Sequence, residues 1–284
     1  MMLSPVLLGL TLLIIVPALM TIPLAFTRYD ALSSPEWLGL GNFREMLHDG
    51  MFFNGLRASL VYVLLAVPIR LLGALLLALL LHRPGRGRTF IRGAIYLPTV
   101  VPDIAYALLW LYIFNPLFSP LNVFLPLFGG RGSTPAGWLL NGTSAQVAIA
   151  IVLFWTLGEG FVLLMATLQD IPRAMLESAA IDGASRWQVL TRITLPMLAP
   201  MLLLIIFRDT IRSFQANFVA TVILTNGGPY YATSYLPFWI WQNAIDYQRF
   251  GYAAAMTLVL FAVTVVAIAL QFVVVRRWRT GYFE

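Results

Sequence analysis

The 284-residue sequence predicts an all-α protein that crosses a membrane six times. Two observations carry that expectation. Hydrophobic residues make up 60% of the chain and charged residues only 11%, whereas about a quarter of a soluble domain is charged. Apolar runs of about 20 residues, enough to cross a bilayer core, also recur along the chain.

The first run covers about Leu3–Phe26. It has no basic residue before it and no A-x-A pattern after it, so a retained helix is expected rather than a cleaved leader. Pro17 and Pro23 fall inside it, which membrane helices tolerate. The next runs are about Leu56–Leu81, Ala94–Phe114, Ala145–Leu168, Met197–Leu224 and Tyr252–Val275. Turn residues punctuate the connections: Pro35, Gly39 and Gly41; Pro84, Gly85 and Gly87; Gly129, Gly130 and Gly132; Gly227, Gly228 and Pro229. The chain divides into a first helix with its external loop (1–55), a core of five helices (56–276) containing the loop 169–196, and a tail (277–284).

Arginine placement orients the spans. All 18 basic residues are arginine. Arg83, Arg86, Arg88, Arg92, Arg173, Arg186, Arg192, Arg276, Arg277 and Arg279 fall in one set of loops. Arg28, Arg44, Arg57, Arg131 and Arg249 fall in the other, and Arg70, Arg208 and Arg212 lie within spans. Positive residues favour the cytoplasm, so the loops after spans two and four, and both termini, are expected there. The net charge of +6 is explained by these loops. No basic stretch interleaved with aromatics points to nucleic acid.

Composition also excludes chemistries. With no cysteine there is no disulfide or thiolate site. The two histidines, His48 and His82, lie in different loops and make no zinc pair. No lysine exists to complete a G-x-x-x-x-G-K-[ST] phosphate loop. No nucleophile–base spacing marks a membrane-embedded enzyme.

The loop from Gln169 to Pro200 is the most informative segment. Asp170 and Pro172 are helix-start signals. Ala174, Met175, Leu176, Ala179 and Ala180 favour helix, and Gly183 permits the left-handed turn that ends one. Ser185 and Gln188 fit a capping box for a second helix running into span five at Pro196. A short helix rich in small residues suits close docking by another protein, with Arg173, Glu177 and Asp182 as rim charges. An interfacial helix lying in the headgroups is the plain alternative.

The same segment resembles the EAA loop of ABC-importer permeases: E-A-A, three residues, G, nine residues, I-x-L-P. Glu177, Ala179, Gly183, Ile193, Leu195 and Pro196 stand at those spacings, with Ser178 in place of the first alanine. ESAAIDGA also resembles the EAAxIDGA form of carbohydrate permeases, in which Ala180 and Asp182 fall. LGLGNFREML resembles the family's W-x-G-L-x-N-F stretch with Trp37 displaced, and Asn122 resembles its G-x-x-N position with Ser119 and Pro120 where glycine is common. FIRGAIYLPTVVPDIAYALLW resembles the third span, FGYAAAMTLVLF the last, and LTNGGPYYAT the T-x-GGP segment of MalF-like subunits. The resemblance implies a type I ABC-importer transmembrane fold in a bacterial or archaeal cell (inner) membrane. It also implies a MalG-like second permease, a cytoplasmic ATPase dimer holding ATP and Mg, and an extracytoplasmic solute-binding protein. This chain itself would bind no cofactor. Sugars or a glycerol phosphate are the implied solutes.

Charges inside spans are costly and default to functional candidates. Arg208, Arg212 and Gln215 share one helical face of span five, and Asp209 is placed to pair with Arg212. Arg208 lies about eleven residues past Met197, roughly 16 Å into the membrane at 1.5 Å per residue. With Phe207, Phe214 and Phe218 these residues could line a sugar pathway, or form an ion pair at the second permease. Glu159, one turn after Trp155, is a second pathway candidate whose alternative partner is Arg70 or the other subunit. Asp103 follows Pro102 and could serve only a broken turn. The segment from Tyr230 to Tyr247, with Trp239 and Trp241, reads as an interfacial belt or a docking surface for the binding protein. An ion-coupled secondary transporter of a small polar solute is the alternative class; it leaves the Gln169–Pro200 loop without a role.

Overall fold

The computed structural model describes residues 3–124, 137–215 and 217–280. Arg131 and the turn glycines 129, 130 and 132 lie outside the described residues.

Among the described residues, five helices are long and apolar enough to cross a membrane: Ser4–Leu24, Gly50–Leu81, Gly142–Gln169, Arg186–Leu224 and Phe250–Val274. A sixth span is built from two helices, Arg88–Thr99 and Asp103–Ile113, bent by 102°. The span expected over about Ala94–Phe114 is therefore bent, and the bend falls at the turn before Asp103. Pro98 and Pro102 flank the elbow, and neither can donate a backbone hydrogen bond. Pro102 adopts extended backbone and Asp103 opens the second helix with its charge in the first turn, where the helix dipole favours it. Arg88–Tyr96 packs on the Gly158–Gln169 half of span four, and Asp103–Ile113 packs on the Asn217–Leu224 end of span five. The bent pair thus runs from one side of the protein to the other and counts as span three.

Local rules explain the other boundaries. Span two begins at Gly50 rather than Leu56. Asp49 caps it, accepting from the Met51 and Phe52 amides at 2.8 and 3.2 Å, which satisfies donors a helix start leaves open. Its other end is capped by a cation: Arg92 Nε donates to the Leu81 carbonyl at 3.1 Å. Two π-turns, Thr11–Ile15 and Leu190–Thr194, each precede a proline, Pro17 and Pro196. A widened turn accommodates a ring that lacks an N–H. Span four is interrupted at 155–157, and Gly158 starts its second half. A Cβ on Gly158 would run into the Ile95 carbonyl, so the break in span four is packed on the elbow of span three.

Three apolar clusters join the spans. None of span one is buried within the chain. On the side bearing Gly50, the chain after span one forms a two-stranded ribbon, Thr27–Arg28 with Glu36–Trp37. Asn42, buried, donates to the Ala25 and Thr27 carbonyls at 2.9 Å each. Phe26 lies between Trp37 and Phe43. Gly251 presses this ribbon against span six, because a Cβ there would strike the Thr27 carbonyl. Asp49 also accepts from Trp239 Nε1 at 3.0 Å and Tyr252 Oη at 2.7 Å. One carboxylate thus ties span two to the helix Leu236–Trp241 and to span six.

The aromatic segment is consequently structural over much of its length. Phe238 is buried, Trp239 is tied to Asp49, and Trp241 packs on Phe218 and Phe238. Tyr230, Tyr231 and Tyr247 remain exposed.

Gly251→Ala should lower the thermal midpoint of the detergent-solubilised protein, with overpacking costing about 1–3 kcal/mol. Gly9→Ala, where nothing lies within 4 Å, should leave it unchanged. Equal midpoints for the two would remove the close approach as a constraint. Asp49 supplies a pH signature. Burial opposes its charge, but hydrogen bonds from Tyr252, Trp239 and the two amides outweigh this and hold the carboxyl below its ordinary value. A depressed folded value stabilises above the unfolded value near 4 and is lost as pH falls through the folded one. Asp49→Asn should therefore be less stable than the native chain at pH 7, and the gap should close below about pH 4.

Candidate functional site

Two regions hold the residues singled out by sequence. The first is an ion-pair cluster within the spans. Arg70 lies eleven positions before the end of span two at Leu81, roughly 16 Å in at 1.5 Å per residue. Glu159 occupies the first turn of the second half of span four, where the helix dipole favours a carboxylate. Arg208, Asp209 and Arg212 come from span five.

The cluster has two layers. In the buried layer, Arg70 and Asp209 have side chains only 3% and 4% exposed, with Nε and Oδ2 3.9 Å apart. Arg70 Nη2 also reaches the Thr156 carbonyl at 3.4 Å, in the segment where span four is broken. In the accessible layer, Arg208 donates to Asp209 Oδ1 through Nε at 3.1 Å and Nη2 at 2.8 Å. Its Nη1 lies 3.1 Å from Glu159 Oε2, and Arg212 Nη1 donates to that same oxygen.

This pairing corrects the sequence reading. Asp209 does not pair with Arg212; its partners are Arg208 and Arg70. Glu159 pairs with Arg208 and Arg212 rather than with Arg70. The i, i+3 rule describes neighbours on an isolated helix, but here spans two and four bring closer partners. Phe214 is buried in the core and is not free to stack on a solute, while Phe218 is half-buried and packs on Trp241. Gln215 is exposed, as is Trp155, whose ring meets Trp110 edge-on at 5.7 Å.

The second region is an exposed helix hairpin. Arg173–Ile181 follows Pro172, and the chain reverses at Gly183 with φ of 72°. The Gly183 amide donates to the Ala180 carbonyl at 3.2 Å and the Ala184 amide to Ala179 at 2.9 Å, the paired bonds of a Schellman ending. The expected capping box forms: Ser185 N donates to Gln188 Oε1 at 2.7 Å, and Gln188 N to Ser185 Oγ at 3.3 Å. Arg186–Val189 then runs through the π-turn Leu190–Thr194 into span five. Glu177, Ser178, Ala180, Asp182 and Gly183 are exposed, and Ala179, Ile193, Leu195 and Pro196 are half-buried.

Sequence reasoning passed over the hairpin's apolar side chains. Ile181 is 86% exposed and Trp187 70%, with Met175 and Leu176 also exposed. A signal existed: large apolar residues flank a glycine turn in a loop otherwise built of small and charged ones. Arg70 was noted only as a partner for Glu159, and its burial against Asp209 comes from span two, which the local pattern cannot show.

Removing Asp209 should be costly, because Arg70 would be left buried without its counter-charge, at about 3–5 kcal/mol. Asp209→Leu should lower the thermal midpoint sharply, and Arg70→Met combined with it should recover most of the loss. A double variant no more stable than the single would show that Arg70 is not what Asp209 neutralises.

The geometry has known counterparts. Residues 69–280 match the family model described as binding-protein-dependent transport system inner membrane component. The chain is 32% identical over 265 residues to the probable ABC transporter permease protein YesP of Bacillus subtilis (strain 168), covering 92% of this chain and 84% of that one. It is 30% identical over 247 residues to the sn-glycerol-3-phosphate transport system permease protein UgpA of Agrobacterium fabrum (strain C58 / ATCC 33970), covering 86% and 83%. Its fold matches a chain of the bacterial alginate ABC transporter crystallised with an alginate pentasaccharide-bound periplasmic protein. The TM-score is 0.83 at 21% identity, over 97% of this chain and 93% of that chain. The match covers the hairpin as well as spans three to six, and it sets aside an ion-coupled secondary transporter. The chain belongs to the family of binding-protein-dependent transport system inner membrane components, as a polytopic permease subunit.

Proposed function

We propose that this permease forms half of the translocation path of an ATP-driven importer for sugar-like solutes in a bacterial or archaeal cell membrane. A second, MalG-like permease supplies the other half. A cytoplasmic ATPase dimer, carrying ATP and Mg, grips the hairpin around Arg173–Ile181. An extracytoplasmic binding protein delivers solute to the opposite side, and both termini face the cytoplasm. Arginine-rich loops support this orientation, and the absence of lysine supports nucleotide chemistry on another subunit.

The observation that carries the coupling role is continuity. The exposed helix is joined to span five through a Schellman turn, a reciprocal capping box and a π-turn, with no unstructured linker between them. Ile181 and Trp187 offer a docking surface of apolar anchors with a polar rim, as interfaces use. Glu177, Ser178, Ala179, Ala180 and Asp182 surround them. A displacement of the hairpin passes along span five to Arg208 and Arg212, which line the path with Glu159, Trp155 and Gln215. Asp209 sets the position of Arg208.

Glu177→Ala and Gly183→Pro should each reduce uptake in the reconstituted complex by at least tenfold while the ATPase subunits still hydrolyse ATP. Ile181→Asp should release the ATPase during purification. Normal uptake by all three variants would end the coupling role.

A further inference from the structure

The accessible layer of the ion-pair cluster has a composition that a neutral-sugar path does not require. Arg208 and Arg212 stand one helical turn apart on span five, and both point a guanidinium nitrogen at a single atom, Glu159 Oε2. Two guanidiniums converging on one oxygen is how proteins hold a carboxylate or phosphate. In a hydrocarbon-depth setting such charges face protein or water, not lipid.

Accessibility divides the cluster by role. The buried Arg70–Asp209 pair sums to zero charge, and its Asp209 also accepts from Arg208, which holds that arginine in place. Outside it are two cations and one carboxylate, with side-chain exposures of 27%, 37% and 32% for Arg208, Arg212 and Glu159. That layer therefore carries one positive charge beyond its own carboxylate. Asp103 is within electrostatic reach of Arg212, yet it is exposed and forms no ion pair among the described residues.

Glu159 is also placed to leave. It stands in the first turn after the break at 155–157, where the dipole of the helix start favours a carboxylate without the arginines. Gly160 follows it and is buried, and a Cβ at that position would lie in ordinary contact with Ala74 and Ile205 at 3.5 Å, so this turn of span four is held by the packing while the Glu159 side chain is the part free to swing. Trp155, one turn away and 54% exposed, presents an indole on which a sugar ring can stack.

We propose that Arg208 and Arg212 form a two-guanidinium clamp for an anionic group on the solute, a carboxylate or a phosphate, and that Glu159 occupies the clamp until solute displaces it. This rests on the reading that the cluster lines the solute path. The solute class is a sugar or polyol bearing one negative charge or more, its ring or chain against Trp155 and its anion between the arginines.

The test uses the complex with its partner subunits in lipid nanodiscs at constant ionic strength. The thermal midpoint is titrated with glucuronate, glycerol 3-phosphate and glucose. Each variant is read as the concentration giving a half-maximal shift, so differences in basal stability do not enter. Either anion should act at lower concentration than glucose, and which one acts identifies carboxylate or phosphate. Glu159→Gln should lower the half-maximal concentration of that anion about tenfold and leave glucose unchanged. Arg212→Gln should raise it tenfold or more, and Arg212→Lys, which keeps the charge in place, should recover part of the loss. If glucose responds to Arg212→Gln and the anions do not, the cluster lines the path but the anion clamp is wrong. If no probe responds to any variant, the path reading falls with it.

Discussion

Charge inside a hydrocarbon layer has to be neutralised or hydrated, and that requirement organises the centre of this molecule. Arg70, Glu159, Arg208, Asp209 and Arg212 come from three different spans, so the pairing that neutralises them also fixes how those spans meet. Arg70 is buried, and its charge is answered by Asp209 and by a carbonyl released where span four is interrupted. The break in span four thus gives a buried guanidinium an acceptor that an intact helix would keep for itself. The same break turns Gly158 toward the elbow of span three, where only a residue without a side chain fits. Irregular backbone at membrane depth is tolerated where it is buried in protein in this way.

Span five links the two candidate regions physically. It begins at the capped turn beside the exposed hairpin and runs to Leu224. About 22 residues separate Arg186 from Arg208, roughly 33 Å of helix at 1.5 Å per residue. Glu159 belongs to span four. Any movement of span five along or about its axis therefore changes the distance between the arginines and the carboxylate they share. Asp209 rides on span five with Arg208, so that pair is insensitive to the same movement. Arg70 is on span two and opposes it.

The spans, the loop helices, the glycine turn and the capping box were legible because each depends on residues close together in sequence. Apolar length marks a span, Gly183 marks a left-handed turn, and Ser185 with Gln188 marks a reciprocal cap. What failed was long-range. The elbow in span three follows from two prolines, which the sequence displays, but its 102° depends on the packing of each half against a different neighbour. The interruption of span four has no proline to announce it, and only the Gly158 and Gly160 pair hints at close approach. The partners of Asp209 could not be read, because its neighbour on span five is not the nearest opposite charge once span two is in place. The bond from Trp239 to Asp49, far away in sequence, is another contact that the local aromatic pattern does not show.

The two acidic residues of the cluster show why burial matters more than charge type in assigning roles. Asp209 and Glu159 are both carboxylates that accept from Arg208. Asp209 is 4% exposed and has a second cation behind it, so nothing from outside reaches it without opening the packing of spans two and five. Glu159 is 32% exposed, with both its cations at the surface of the cluster. A group that holds the fold cannot also exchange partners during every transport cycle, because each exchange would expose a buried guanidinium at several kcal/mol. Dividing the carboxylates into one fixed and one accessible removes that conflict. The fixed pair keeps Arg208 in register, and the accessible carboxylate can give way without unpacking the spans.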